Sequence, residues 1–175
     1  MSDQKQQWLG IDPGDRGAIA LINWPDFAVV HPLHGLDYEE LYGLIGRIND
    51  DHDVRFTFVE KIRPVPSWMR GSIATNKLSK HAGAITMALT GHNMNFQEIE
   101  PQVWQRALGC PNRSGNKSTS RKRAAQLFPE IKVTNEIADA LLIAYHCQYQ
   151  ARHPDLLFHR PAAQRHSRKL WRIPS

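Results

Sequence analysis

Trp8-Leu9-Gly10-Ile11-Asp12-Pro13-Gly14, followed closely by Gly17-Ala18-Ile19-Ala20-Leu21-Ile22, is the stretch on which the fold turns. The first run reads as a short buried strand entering a Pro13-Gly14-Asp15 turn, and the second as another strand. Trp24-Pro25-Asp26 turns the chain again, into a third strand around 27–30. Strands joined by such tight turns are antiparallel neighbours. Asp12 stands where the apolar run meets the turn, and Asp before Pro-Gly is common there for purely local reasons.

Outward from this hairpin, Asp37 can cap a helix from 38 to about 50, with Leu41, Leu44, Ile45 and Ile48 on one face. Val54-Arg55-Phe56-Thr57-Phe58-Val59-Glu60 returns as a β-rich segment ending in a carboxylate. Residues 61–71, with Pro64 and Pro66, read as a loop. A long helix is expected from about 73 to 90, with Ala74, Leu78, Ala82, Ile85 and Leu89 as its buried stripe. A second stripe of small residues, Ala84, Ala88 and Gly91, would admit another helix at close range. A strand over 94–99, a short helix over 103–108, a polar loop over 110–116, a basic helix over 118–128 and a last helix from 136 to about 151 follow. The order β-β-β-α-β-α-β-α-α describes an α/β protein, a mixed five-stranded sheet flanked by helices. The expected division is one folded domain over 1–151 and a basic C-terminal tail over 152–175.

Composition narrows the function classes. The 175 residues suit one compact domain, and 41% hydrophobic residues with charges of both signs suit a soluble globular protein. No stretch approaches the roughly 18 uninterrupted apolar residues of a spanning helix. Residues 1–7 lack the apolar core of an export signal. Cys110 and Cys147 make neither a disulfide framework nor a zinc motif, so a reducing cytoplasm, with no export and no membrane, is the expected setting. Residues 152–175 hold six Lys/Arg against one acid, which accounts for the whole net charge of +5. Residues 101–129 carry Arg106, Arg113, Lys117, Arg121, Lys122 and Arg123 with no acid. Such segregation suits phosphate binding; a solvated basic face and a loose end would have the same composition.

Four carboxylates carry the chemical argument. Asp12 and Glu60 each close a strand, and Glu136 and Asp139, three apart, are expected on one face of the last helix in its first turn. Each has a structural explanation: turn, strand end, or compensation of the helix dipole. Their combination is what a two-metal phosphodiesterase requires, with divalent ions about 4 Å apart activating water on one side of phosphorus and stabilising the leaving oxygen on the other. Hard ions such as Mg²⁺ take oxygen ligands. Without cations, so many acids in one place would resist joint ionisation.

Gly10-Ile11-Asp12-Pro13-Gly14 with Gly17-Ala18-Ile19-Ala20, then Phe58-Val59-Glu60, then Glu136-Ile137-Ala138-Asp139-Ala140-Leu141, resembles the RuvC family of Holliday-junction resolvases, within the ribonuclease H-like superfamily. Glu100-Pro101-Gln102-Val103-Trp104-Gln105 to Gly109, followed by Lys117, is similar to that family's segment between catalytic motifs, and its spacing is similar to the chloroplast branch. The likeness spans about 8–149. It implies a ribonuclease H-like fold and a structure-specific endonuclease resolving four-way junctions. It implies Asp12, Glu60, Glu136 and Asp139 as ligands of two Mg²⁺ ions, with Mn²⁺ able to substitute; Glu136 departs from the commoner aspartate. It also implies Lys117 beside the scissile phosphate, where a fixed cation would stabilise developing charge. The residue-level alternative for Lys117 is one backbone contact among several.

Arg113, Arg121, Lys122 and Arg123 read as phosphate-positioning groups without sequence preference. Trp68, with Met69 and Arg70, lies in the proline-stiffened loop after Glu60. The resemblance implies an aromatic wedge there that unstacks base pairs, whereas packing back onto the domain is the other reading of Trp68. A junction has two strands to cut symmetrically, so one site per chain implies a homodimer, with Ala84, Ala88 and Gly91 as a possible contact or as ordinary packing. A nuclease acting on flaps or forks would have the same carboxylates. A non-catalytic DNA-binding protein leaves them unexplained. A sugar-kinase or actin-like ATPase shares the Gly-Ile-Asp-x-Gly pattern but needs two such subdomains.

Overall fold

Period-two alternation along the strands sorts the apolar side chains onto two faces of one sheet, and each face gathers its own helices. The computed structural model describes residues 6–62, 73–110 and 118–153. The strands are β1 (Gln7–Asp12), β2 (Ala18–Asn23), β3 (Phe27–Pro32), β4 (Val54–Glu60) and β5 (Phe96–Ile99). They are ordered β3-β2-β1-β4-β5. β1–β2 and β2–β3 are antiparallel, as the tight turns require, while β1–β4 and β4–β5 are parallel. This is the mixed five-stranded α/β architecture of the ribonuclease H-like fold.

Leu9, Ile11, Ile19, Leu21 and Val59 share one core with α1 (Tyr38–Asp51) and α2 (Ile73–Gly91). Trp8, Ala18, Ala20, Ile22 and Phe58 share the other with α3 (Pro101–Ala107), α4 (Ser118–Leu127) and α5 (Ala138–Arg152). α1 starts as expected, in a capping box: the Glu40 N–H donates to Asp37 Oδ1 (2.8 Å), and the Asp37 N–H donates to Glu40 Oε2 (2.9 Å). Leu41, Ile45 and Ile48 are buried and Leu44 partly so.

Three helices follow β5, the expected short, basic and last ones. A strand boundary departs from expectation for a local reason. β5 begins at Phe96 rather than at 94, because Met94 still belongs to the end of α2: its N–H donates to Leu89 O (2.9 Å) across Asn93, which has φ 55°. A helix commonly ends on such a left-handed residue. The small-residue stripe of α2 is spent within the chain. Ala88 is buried in the α1–α2 core, Ala84 packs against it, and Gly91 faces the Tyr42 ring of α1. Both cysteines are buried and free. Among the described residues no helix is long and apolar enough to cross a membrane.

Candidate active site

Asp12 ends β1 and Glu60 ends β4, and these strands are parallel neighbours with Ile11 opposite Val59. Both carboxylates therefore leave the sheet at the same edge. Alternation assigns Asp12 to the face of Trp8 and Gly10, and Glu60 to that of Phe58, which is the α3–α5 side. α5 supplies the third acid. It runs against β1 and β4 in direction: Arg152, at its C-terminus, lies 5.5 Å from the Trp8 ring, the Cys147 thiol donates to Phe56 O (3.7 Å), and Ala140 and Ala144 cross Gly10. A Cβ on Gly10 would collide with the backbone of Ala140 and Ala144. Glycine there lets α5 lie directly on β1, and the helix N-terminus with Asp139 arrives beside the strand ends.

Local contacts stiffen this corner. Gly17 N–H donates to Gly14 O (2.8 Å), and a Cβ on Gly17 would strike the Asp12 carbonyl, so the turn after β1 closes tightly. Gly14 N–H lies 3.4 Å from Asp12 Oδ1. His81, a buried residue of α2, places Nδ1 2.9 Å from Pro13 O, which makes that nitrogen the proton donor. Lys77 pairs with Asp15 at 2.9 Å, and this hydrogen bond holds the Asp15 carboxyl below its usual range. On the other strand, the indole Nε1 of fully buried Trp104 donates to Glu60 Oε1 (3.1 Å). Lys61, next in sequence, pairs with Glu100 at 2.9 Å.

Asp12 and Asp139 are both buried. Burial pushes the Cys110 thiol up, the Asp139 carboxylate adds to that, and Arg123 and a hydrogen bond with Ser120 act against it. Asp139, Cys110, Ser120 and Arg123 thus form one neighbourhood where α4 meets the start of α5.

The start of the last helix is corrected by the geometry. α5 begins at Ala138 with Ile137 as its N-cap, so Glu136 is in the preceding turn and exposed, while Asp139 alone of the pair occupies the first turn. The basic triplet is also divided. Arg121 and Lys122 are exposed, whereas Arg123 is half-buried toward Cys110 with an Nη1–Gln126 Oε1 contact of 3.4 Å. Consecutive helical residues are about 100° apart, so three in a row cannot share one face. Trp68, Met69, Arg70, Arg113, Lys117 and the tail beyond 153 lie outside the described residues.

Sequence reasoning missed His81 and Trp104. A signal existed for the second: a tryptophan in a seven-residue helix just after a strand tends to be buried, and a buried indole N–H needs an acceptor. His81 lies at the edge of the apolar stripe of α2, three residues after Leu78 and four before Ile85, so its burial was readable but its partner on Pro13 was not. The gathered donors are carboxylate oxygens, the type that suits a hard divalent cation. Among the described residues no three His, Cys, Asp or Glu side chains are close enough to hold one ion as they are placed.

No protein-family model matches the chain, and no curated protein matches it by sequence. Solved structures do match. The RuvC of T. thermophilus in complex with Holliday junction substrate superposes with a TM-score of 0.63 at 16% identity, covering 85% of this chain and 96% of that one. A second Thermus thermophilus RuvC structure gives 0.62 at 16% identity over the same shares. The yeast mitochondrial Holliday junction resolvase gives 0.49 at 15%, covering 87% and 83%. At such identities the two RuvC likenesses establish the fold: this chain is RuvC-like in architecture.

Proposed function

We propose that this protein is a metal-dependent endonuclease that cuts branched DNA, four-way junctions foremost, as a homodimer. The observation that supports the reading is the placement of the elements: Asp12 and Glu60 end two adjacent parallel strands, and Asp139 stands in the first turn of the helix that crosses them. The RuvC-like fold supports it, because that scaffold carries a Holliday junction substrate in the T. thermophilus RuvC complex.

In this reading Asp12, Glu60 and Asp139 hold Mg²⁺ or Mn²⁺, and Glu136 contributes from the turn before α5. Bound there, two such ions would activate water and stabilise the leaving oxygen. Asp12 and Asp139 would rotate to close around the cations beside Glu60, which keeps its bond to Trp104. Lys117 would lie beside the scissile phosphate, Arg113, Arg121, Lys122 and Arg123 would hold the DNA backbone, and Trp68 with Met69 and Arg70 would enter the junction. Residues 1–151 form the nuclease unit and the tail over 152–175 adds phosphate affinity.

The test incubates the purified chain with four-way junctions, forks, flaps and plain duplex, in Mg²⁺ and in EDTA. Symmetric junction cleavage that EDTA abolishes is expected. Faster cleavage of flaps or forks would move the substrate class, and binding to all forms without cleavage under any divalent ion would reduce the protein to a DNA-binding module.

A further inference from the structure

We infer that Trp104 is a positioning residue for Glu60, holding that carboxylate in the orientation its metal requires; the inference rests on the metal-dependent reading above. The indole N–H donates to Glu60 Oε1 at 3.1 Å from a ring with no exposed surface. A buried indole N–H left without an acceptor is costly, so the pair is retained wherever the ring stays in place. A hydrogen bond to a carboxylate is charge-assisted, and it restricts rotation of the Glu60 side chain.

The surrounding backbone fixes the donor. Lys61 N–H donates to Ile99 O (2.9 Å), which ties the ends of β4 and β5 together just beyond Glu60. Glu100 stands at the N-cap position of α3 with its carboxylate paired to Lys61 at 2.9 Å, and is followed by Pro101 at the first helical position. Four residues after Glu100, one turn into α3, Trp104 is brought back under β4 and shares a core with Phe58, Ile99 and Leu108. The indole cannot move without lifting α3 from the sheet. Outer partners that orient a metal ligand typically contribute about 10–100-fold in metal affinity or activity.

Trp104→Phe keeps most of the apolar ring and removes the donor. Mn²⁺ binding is measured by electron paramagnetic resonance alongside single-turnover junction cleavage and junction affinity. The expected result is Mn²⁺ affinity weaker by about tenfold, cleavage slower at saturating junction, and junction affinity unchanged. In a Glu60→Gln background, Trp104→Phe should add little, because the carboxylate that the indole orients is already gone. Leu108→Ala, in the same core but away from Glu60, should lower the melting temperature and leave Mn²⁺ affinity intact. The hydrogen bond is also read directly in the otherwise native chain, where Glu60→Gln should shift the Trp104 indole N–H resonance and Mn²⁺ should broaden it. That measurement keeps the inference exposed if Trp104→Phe does not fold. Wild-type Mn²⁺ binding and cleavage with an unaffected Trp104→Phe overturns the positioning role alone. A wild-type protein that neither binds Mn²⁺ nor cleaves overturns the nuclease reading and this inference with it.

Discussion

The two ends of α5 meet the same sheet in opposite ways. At its C-terminal end, Gln148 and Arg152 are matched with groups of the β2–β3 turn. Trp24 N–H donates to Gln148 Oε1 and Gln148 Nε2 donates to Trp24 O, both at 2.8 Å. The Trp24 indole donates to Leu127 O (2.9 Å), and Arg152 reaches Asn23 Oδ1 and Trp24 O at 3.3 Å each. At its N-terminal end the helix brings Asp139 to an edge already holding Asp12 and Glu60. Gathering like charges at one buried corner costs stability unless a cation joins them. The far end locks the helix, so the near end can carry a constellation that folding alone would not select.

The comparison breaks most decisively at Asp139. Asp139→Asn, and equally Asp12→Asn, should reduce junction cleavage by a thousandfold or more, a scale of about 4 kcal/mol in transition-state stabilisation. Junction binding should persist and the metal-free melting temperature should hold or rise, as like-charge repulsion is relieved. Single-turnover cleavage with calorimetry on the same samples checks both. Concurrent loss of folding and binding would make these carboxylates structural and erase the difference between the two ends.

The next effect is on acid stability and arises in the locked half. Burial depresses the His146 imidazole from 6.5 to about 4. Gln150 Nε2 lies 2.8 Å from His146 Nε2, which assigns the proton to Nδ1. The fold prefers neutral His146 and the unfolded chain takes up the proton first. Stability is therefore full above about 6.5, falls as pH drops from 6.5 toward 4, and flattens below, with roughly 3 kcal/mol lost from this group. Urea unfolding from pH 7.5 to 4.5 should show that slope, and His146→Phe should remove most of it. An unchanged slope in the variant would move the acid sensitivity to other groups.

Gln148→Ala should cost about 2 kcal/mol, because it removes two good hydrogen bonds and strands the Trp24 amide, while Arg152 still reaches the Trp24 carbonyl. Its cleavage rate per folded molecule should equal wild type. If that rate drops with stability intact, the two ends are coupled along the helix and the division drawn above is too sharp.

Legibility followed the same line. The hairpin, the Asp37 cap and the carboxylates that close β1 and β4 were readable because alternation and turn chemistry are local. Asp12 and Glu60 could be placed for that reason. The last helix was started two residues early, at Glu136, because an i,i+3 spacing fits a preceding turn as well as a first turn. Trp104 on Glu60, His81 on Pro13 and Gln148 on Trp24 join residues 44, 68 and 124 positions apart, and nothing local specifies such pairs. The α2 stripe shows the converse limit: small residues signal close approach but not which helix approaches.

The smallest expected effect decides where the locked end stops. By charge alone Arg152 belongs to the basic tail, yet it is the last residue of α5, with its guanidinium 5.5 Å from the Trp8 ring and bonded to Asn23 and Trp24. An exposed cation–π contact contributes about 0.5–1 kcal/mol, and two long hydrogen bonds at the surface add little. Arg152→Ala should therefore lower the melting temperature by only about 2–4 °C, as expected for a protein of this size. If the side chain serves the fold, junction affinity and its salt dependence should stay as in wild type. If it serves DNA, affinity should fall and the slope of log affinity against log salt should shrink by about one counterion. Removing residues 154–175 is the matched comparison, with the fold retained and the salt slope reduced by several charges. A melting temperature indifferent to Arg152→Ala, together with a shallower salt slope, would assign Arg152 to the tail and end the locked half of α5 at Gln148.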